Sequence, residues 1–290
     1  RLRDCAPLSP HGAGAIPSDA IQVHQVGYIE IGPPEYNWHV EKVGLYPDPL
    51  LPSMPEYLPA GQDAQPFYIT VKTTAHTPPG AYRGVITVEA DNANALDIPL
   101  EVKVWDFALS DETTLKTSLW MKEEHIKAFY GYEGRTPFEV RKRYYDMHLD
   151  HRVGPLMALP LGGGDMIEDF EYVIGRGQNN FFIHIPDLFS PEGRDEYREK
   201  VLATRALIQE KGWDDLALFY THDEVAVMAR HLIPKVVEVN NWVKSFVPDW
   251  PRLQTSAPEQ ALVGAVDVWC PTIDHFNPEL LATRMARGDR

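Results

Sequence analysis

Two adjacent carboxylates, Asp223 and Glu224, lie where an apolar strand is predicted to give way to a helix. Leu216 to Tyr220 is a short apolar run bounded upstream by Trp213, Asp214 and Asp215, the pattern of a strand buried on both faces. Beyond the acids, Val225, Met228, Leu232, Val236, Val239 and Val243 recur at helical spacing, which predicts a helix from Val225 to Lys244. Parallel α/β folds build their chemistry at the carboxyl ends of strands, where the connecting loops converge. Neighbouring acids at such a point suit proton transfer to and from a sugar or a similar substrate. The same residues also have a structural reading, with Asp223 as the N-cap of the helix and Glu224 facing the positive end of its dipole. The two readings are compatible, and the local sequence leaves both open.

The elements that would position this pair divide the chain in two. Residues 1–110 read as all-β: Ile21–Val26, Phe67–Lys72, Gly84–Glu89 and Ile98–Val104 alternate apolar with polar residues. Thr77–Gly84 contains a Pro-Pro-Gly turn, and Asp91–Asn94 makes the next hairpin connection. Short strands punctuated by turns predict an antiparallel β-sandwich, with the Pro-rich stretch Gly32–Pro59 packed irregularly over it. From residue 111 to 290 the period changes to strand, helix, strand. Thr117–Met121, Gly154–Leu159, Phe181–Ile185, Leu216–Tyr220, Arg252–Ser256 and Ala265–Trp269 are the strand candidates. Helices are predicted at Pro137–Asp150, at Pro191–Lys211 with Ser190 as cap, and from Pro278 onward. That repeat predicts an incomplete (β/α)8 TIM-type barrel, with six of eight strands counted and the last two strand–helix units cut away.

Bulk properties exclude several classes. A formal net charge of −15 argues against nucleic-acid binding through a basic surface. No window approaches the apolar length of a membrane span. Cys5 and Cys270 are too few for a disulfide framework and are expected as free thiols. His148 and His151 lie on one predicted helix without a third ligand at suitable spacing, so no metal and no cofactor are expected. Gly162-Gly163-Gly164-Asp165 lacks the lysine of a phosphate loop and reads as a flexible loop over the barrel mouth. No Gly-x-Ser-x-Gly nucleophile elbow occurs.

An ordered set of segments carries a family resemblance: Gln65–Val71, Gly80–Gly84, Val104-Trp105-Asp106-Phe107, Tyr220–Glu224 and Val266–Trp269. Together they resemble glycoside hydrolase family 123, the β-N-acetylgalactosaminidases, from about residue 20 to 275. Val225 follows the acidic pair where family members often carry Pro. The resemblance implies retaining hydrolysis of terminal β-linked N-acetylgalactosamine, assisted by the substrate's own acetamido group. It casts Asp223 as the residue that orients that group and Glu224 as the acid and base. Two close carboxylates do not readily ionise together, which suits one of them to act as an acid. A glycan is the implied partner, and an extracytoplasmic location is implied by the resemblance alone.

Trp120, Tyr220 and Trp269 fall at or near the carboxyl ends of predicted strands, where aromatic rings can stack on a sugar. Asp267 is predicted to face the same side as Trp269 and to recognise hydroxyls; His222 is a substrate hydrogen-bonding candidate, and His184 points into the barrel or the helix layer. Two alternatives stand beside the assisted mechanism. One is a glycosidase for another sugar, with Asp267 or a carboxylate of the expected missing barrel units as nucleophile. The other is a carbohydrate-binding protein without activity.

Overall fold

The computed structural model describes residues 6–7, 14–33, 42–51, 65–91, 93–183 and 194–289. Cys5, His184, the predicted cap Ser190, Pro191 and much of the Pro-rich stretch lie outside the described residues. The chain divides into two compact units, Arg1–Ser110 and Asp111–Arg290.

The first unit contains β1 (Ala6–Pro7), β2 (Ile21–Ile31), β3 (Gly44–Leu50), β4 (Phe67–Val71), β5 (Gly80–Ala90) and β6 (Ala93–Val104). They form two antiparallel sheets in the orders β1-β5-β6 and β3-β2-β4. Ile21, from one sheet, and Tyr82, from the other, are buried in one cluster with Ile16, and Val71, Leu100, Val102 and Val104 pack against it. The Tyr82 hydroxyl donates to the Pro78 carbonyl at 2.7 Å and ties the Pro-Pro-Gly turn to the core. Within the Pro-rich stretch, Gly44–Leu50 is not irregular: it is an edge strand paired with β2. An edge position tolerates Pro47 and Pro49, because a missing N–H is harmless on the side that has no partner strand.

The second unit alternates strands with helices: α1 (Glu123–Tyr130), α2 (Phe138–Asp150), β7 (Ala158–Leu159), α3 (Ile167–Gly175), β8 (Phe181–Ile183) and α4 (Arg194–Lys211). β9 (Ala217–Tyr220), α5 (Val225–Met228), α6 (Ile233–Lys244), β10 (Arg252–Gln254), β11 (Val268–Trp269) and α7 (Pro278–Met285) follow. The expected six-stranded portion of a TIM-type barrel is not formed. There are five parallel strands in the order β11-β10-β9-β8-β7, and among the described residues the two outer strands do not pair with each other. Thr117–Met121, predicted as the first strand, contributes only an isolated bridge between Leu119 and Pro155. Barrel closure needs a staggered pairing of first and last strands, which no local sequence pattern encodes.

Because neighbouring strands are consecutive and crossovers are right-handed, the connecting helices fall on one face of the sheet. Phe181, Ile183, Ala217 and Phe219 are buried there with Phe170 and Val173 of α3, Val201 and Ile208 of α4, and Val239 and Val243 of α6. The alternate residues Phe182, Leu218 and Leu253 form a smaller cluster on the opposite face, with Leu156, Tyr220 and Val268 packed against it.

Beneath the helices lies a buried ionic knot. Asp169 has no exposed side-chain surface. It accepts two bonds from Arg141 at 2.6 and 2.9 Å, one from Arg135 at 2.7 Å and one from the Tyr145 hydroxyl at 2.7 Å. Burial alone would push this carboxyl up; the bonds and positive charge outweigh it and hold Asp169 below the usual carboxylate range.

The predicted helix from Val225 to Lys244 is broken: α5 ends at Met228, a single 3-10 turn spans Arg230–Leu232, and α6 begins at Ile233. Pro234 explains the break, since its ring would collide with the carbonyl four residues earlier yet fits the first turn of a new helix. Gly162–Gly164 is likewise no loose loop over a barrel mouth. All three glycines have positive φ and turn the chain from β7 into α3. A Cβ on Gly163 would lie 2.7 Å from Ile167 and 2.8 Å from Leu207. No helix among the described residues is long and apolar enough to cross a membrane.

Candidate active site

The carboxyl ends of β9 and β10 gather one compact polar cluster. Tyr220, the last residue of β9, lies on the face away from the helices, its ring centroid 5.4 Å from that of Phe182. Its hydroxyl donates to Asp223 Oδ1 at 2.5 Å. Thr255, one residue past β10, donates its hydroxyl to the same oxygen at 2.8 Å. Burial, and then the hydrogen bond to Asp223, push the Tyr220 hydroxyl up, so that it stays protonated as a donor. No hydrogen bond from a described residue reaches Asp223 Oδ2, and the side chain is exposed.

Glu224 adopts the left-handed conformation, with φ 44° and ψ 38°. Its N–H donates to Thr255 Oγ1 at 2.8 Å. The N-cap of α5 is therefore Glu224 and not Asp223, and its side chain makes no capping bond. Among the described residues none bonds or pairs with the half-buried Glu224 carboxylate. An unbranched acidic residue in this region carries roughly 1–2 kcal/mol of backbone strain. Replacing Glu224 by Asn, which tolerates this conformation and caps helices well, is expected to stabilise the unit by about 1 kcal/mol. That corresponds to a melting-temperature rise of roughly 2–4 °C. Equal melting temperatures for Glu224→Asn and Glu224→Ala would contradict the strain.

Three further contacts fix the loop between the strand and the acids. The Thr221 hydroxyl donates to Asn240 Oδ1 of α6, and Asn240 Nδ2 donates to the Ala265 carbonyl at 3.0 Å. Gln254 Nε2 donates to the His222 carbonyl at 2.9 Å. The His222 ring lies beside the acids with Nδ1 2.7 Å from the Asp223 carbonyl oxygen, so Nδ1 carries the hydrogen.

Asp223, Glu224, Tyr220 and His222 thus come together, whereas Asp267, Trp269 and Trp120 do not join them. Asp267 precedes β11 and faces the helices. It takes two bonds from the buried Arg252 guanidinium, each at 2.6 Å, and one from the Arg252 N–H at 2.9 Å. Burial would raise this carboxyl; Arg252, with the charge of Lys244, instead holds it below the usual range. A carboxylate so fully paired is a structural anchor and is not available to recognise hydroxyls or act as a nucleophile. Trp269 is buried among Val225, Val236, Leu262 and Val266, and its indole N–H donates to Asp289 at 2.8 Å. Trp120 is 64% exposed next to the Leu119 bridge, with Lys122 Nζ 4.9 Å from its ring centre. That edge lies three strand positions from β9, roughly 14 Å at ordinary strand spacing.

Thr255, Thr221, Gln254 and Asn240 were not singled out from sequence. Asn240 does carry a signal: it falls on the Val236–Val243 face of α6 as a polar residue on an apolar stripe, and it is fully buried. The arrangement presents one carboxylate tethered through a single oxygen beside a second that no described side chain restrains. Such a pair can orient a substrate N–H with the first and exchange a proton with the second. No protein-family model matches the chain, and no curated protein matches it either.

Proposed function

We propose that this protein is a retaining glycoside hydrolase that removes terminal β-linked N-acetylgalactosamine with help from the substrate's acetamido group. The observation that carries the reading is the division of the adjacent acids into one tethered carboxylate, Asp223, and one, Glu224, that no described side chain restrains. The choice of galactosamine rests on the family resemblance.

In the first step the acetamido carbonyl oxygen attacks the anomeric carbon while the glycosidic C–O bond breaks. Glu224 gives its proton to the departing oxygen. Asp223 Oδ2 accepts the acetamido N–H and offsets the positive charge that grows on the resulting oxazolinium ring. In the second step water attacks the anomeric carbon from the vacated face, Glu224 takes its proton, and the acetamido group is restored. Two displacements give net retention.

The test is to offer 4-nitrophenyl N-acetyl-β-D-galactosaminide beside the matching β-D-galactoside, which lacks the acetamido group. Release from the first and none from the second is expected, with the β-anomer as the first product seen by proton NMR. Equal cleavage of both, an α-anomer as first product, or no release from either would refute the proposal.

A further inference from the structure

The Thr255 side chain is one hydroxyl with three neighbours that matter. Its hydrogen goes to Asp223 Oδ1 at 2.8 Å, and its oxygen accepts the Glu224 N–H at 2.8 Å. The Tyr220 hydroxyl oxygen is 2.9 Å away and donates to the same Asp223 oxygen. Thr255 belongs to β10 and its exit, whereas both acids belong to the exit of β9. The two strands pair in parallel, with Arg252 opposite Phe219 and Leu253 opposite Tyr220. This register carries Thr255 alongside the acid loop.

We infer that Thr255 is a positioning residue that sets both carboxylates at once. Donation to Oδ1, shared with Tyr220, turns Asp223 so that Oδ2 is the oxygen left for substrate. Acceptance of the Glu224 N–H stabilises the left-handed backbone that determines where the Glu224 side chain leaves the chain. Among the described residues, Tyr220 bonds to Asp223 but not to Glu224, and Gln254 bonds to neither acid but to the His222 carbonyl. Thr255 is thus the group through which the placement of one acid is tied to the other. The inference rests on the glycosidase reading for its kinetic consequence, but its structural consequence stands apart from activity.

The experiment compares Thr255→Val, which keeps the shape and removes the hydroxyl, with Thr255→Ser, which keeps the hydroxyl. On the 4-nitrophenyl N-acetylgalactosaminide, Val is expected to lower kcat by about 10- to 100-fold, the range that misplacing a catalytic group produces, with KM little changed. Ser is expected to restore most of the rate. In parallel, exchange of the Glu224 amide hydrogen, followed by NMR, is expected to quicken by roughly tenfold in Val and to stay near wild type in Ser. Unchanged kcat and unchanged amide exchange in Val overturn the inference, as does a Ser variant that behaves like Val. Absence of turnover in wild type refutes the glycosidase reading by itself, and the amide exchange then decides whether Thr255 holds Glu224.

Discussion

Glu224→Gln is expected to lower turnover of the 4-nitrophenyl substrate by about a hundredfold or more, and Asp223→Asn by a comparable factor, for different reasons. Gln keeps the volume of Glu224 and its strained backbone but neither gives nor takes a proton. Asn at position 223 still accepts hydroxyl donors, but it presents an amide where charge must be stabilised. The two losses separate when the leaving group is changed. 4-Nitrophenolate departs with little protonation, so much of the Glu224→Gln effect on it falls in the second step, where water must be deprotonated. With an unactivated alkyl glycoside the loss should grow further, while the Asp223→Asn loss should stay nearly constant. Steady-state rates of both variants on both substrates check this. Losses that track each other across leaving groups would contradict the division of roles.

Asp169→Asn is expected to be the most damaging substitution for stability, at about 3–5 kcal/mol, because it removes one partner of a buried ion pair and leaves the other charged. Arg141 is 4% exposed and has Asp169 as its carboxylate partner; Asn keeps one accepting oxygen but loses the charge and turns an NH2 toward the donors that face the other. Against a typical total of about 5–15 kcal/mol this is a large fraction. It should appear as a lower urea midpoint with an unchanged slope. The same knot fixes the direction of the pH dependence. The folded-state pKa of Asp169, like that of Asp267, lies below its unfolded value of about 3.9. The stability each contributes is therefore complete above that value and is lost as pH falls through it toward the folded-state pKa. Urea midpoints measured from about pH 6 down to pH 3 should drop steeply at the acid end in wild type and less steeply in Asp169→Asn. A variant as acid-sensitive as wild type would show that the knot is not the cause.

Most individual elements could be read from periodicity, because alternation and helical spacing are local. Val102 was placed in a strand from alternation and α4 from its cap and first-turn proline, whereas Tyr82, read as part of the Thr77–Gly84 turn, lies in β5. What failed depends on distant pairing or on parity. β3 was hidden by Pro47 and Pro49, which look like strand breakers until the strand is known to sit at an edge. Closure into a barrel was inferred from a count of strands, but a count does not say whether the outer two meet. Asp267 and Trp269 were rightly set on one side of their strand, yet the sequence does not say which side. Ala265 and Val266 are both almost fully buried, so the pattern around them has no polar face to orient it. The acid pair was legible because its position at a strand end is a local fact. Thr255 was not, since a threonine beside a strand is ordinary and only the register of β9 with β10 gives it its neighbours.

The sheet's strand order bears on how the molecule is made. Each strand pairs with the one before it in the chain, so the sheet can grow one unit at a time as the chain lengthens, without waiting for a remote segment. The site does not grow that way. A nascent chain that has emerged only as far as α6 already carries Asp223 and Glu224, but it lacks the β10 exit that bonds to both. The arrangement of the two acids would therefore arrive in a single late docking step, and a chain arrested between residues 244 and 252 would hold both carboxylates without their alignment.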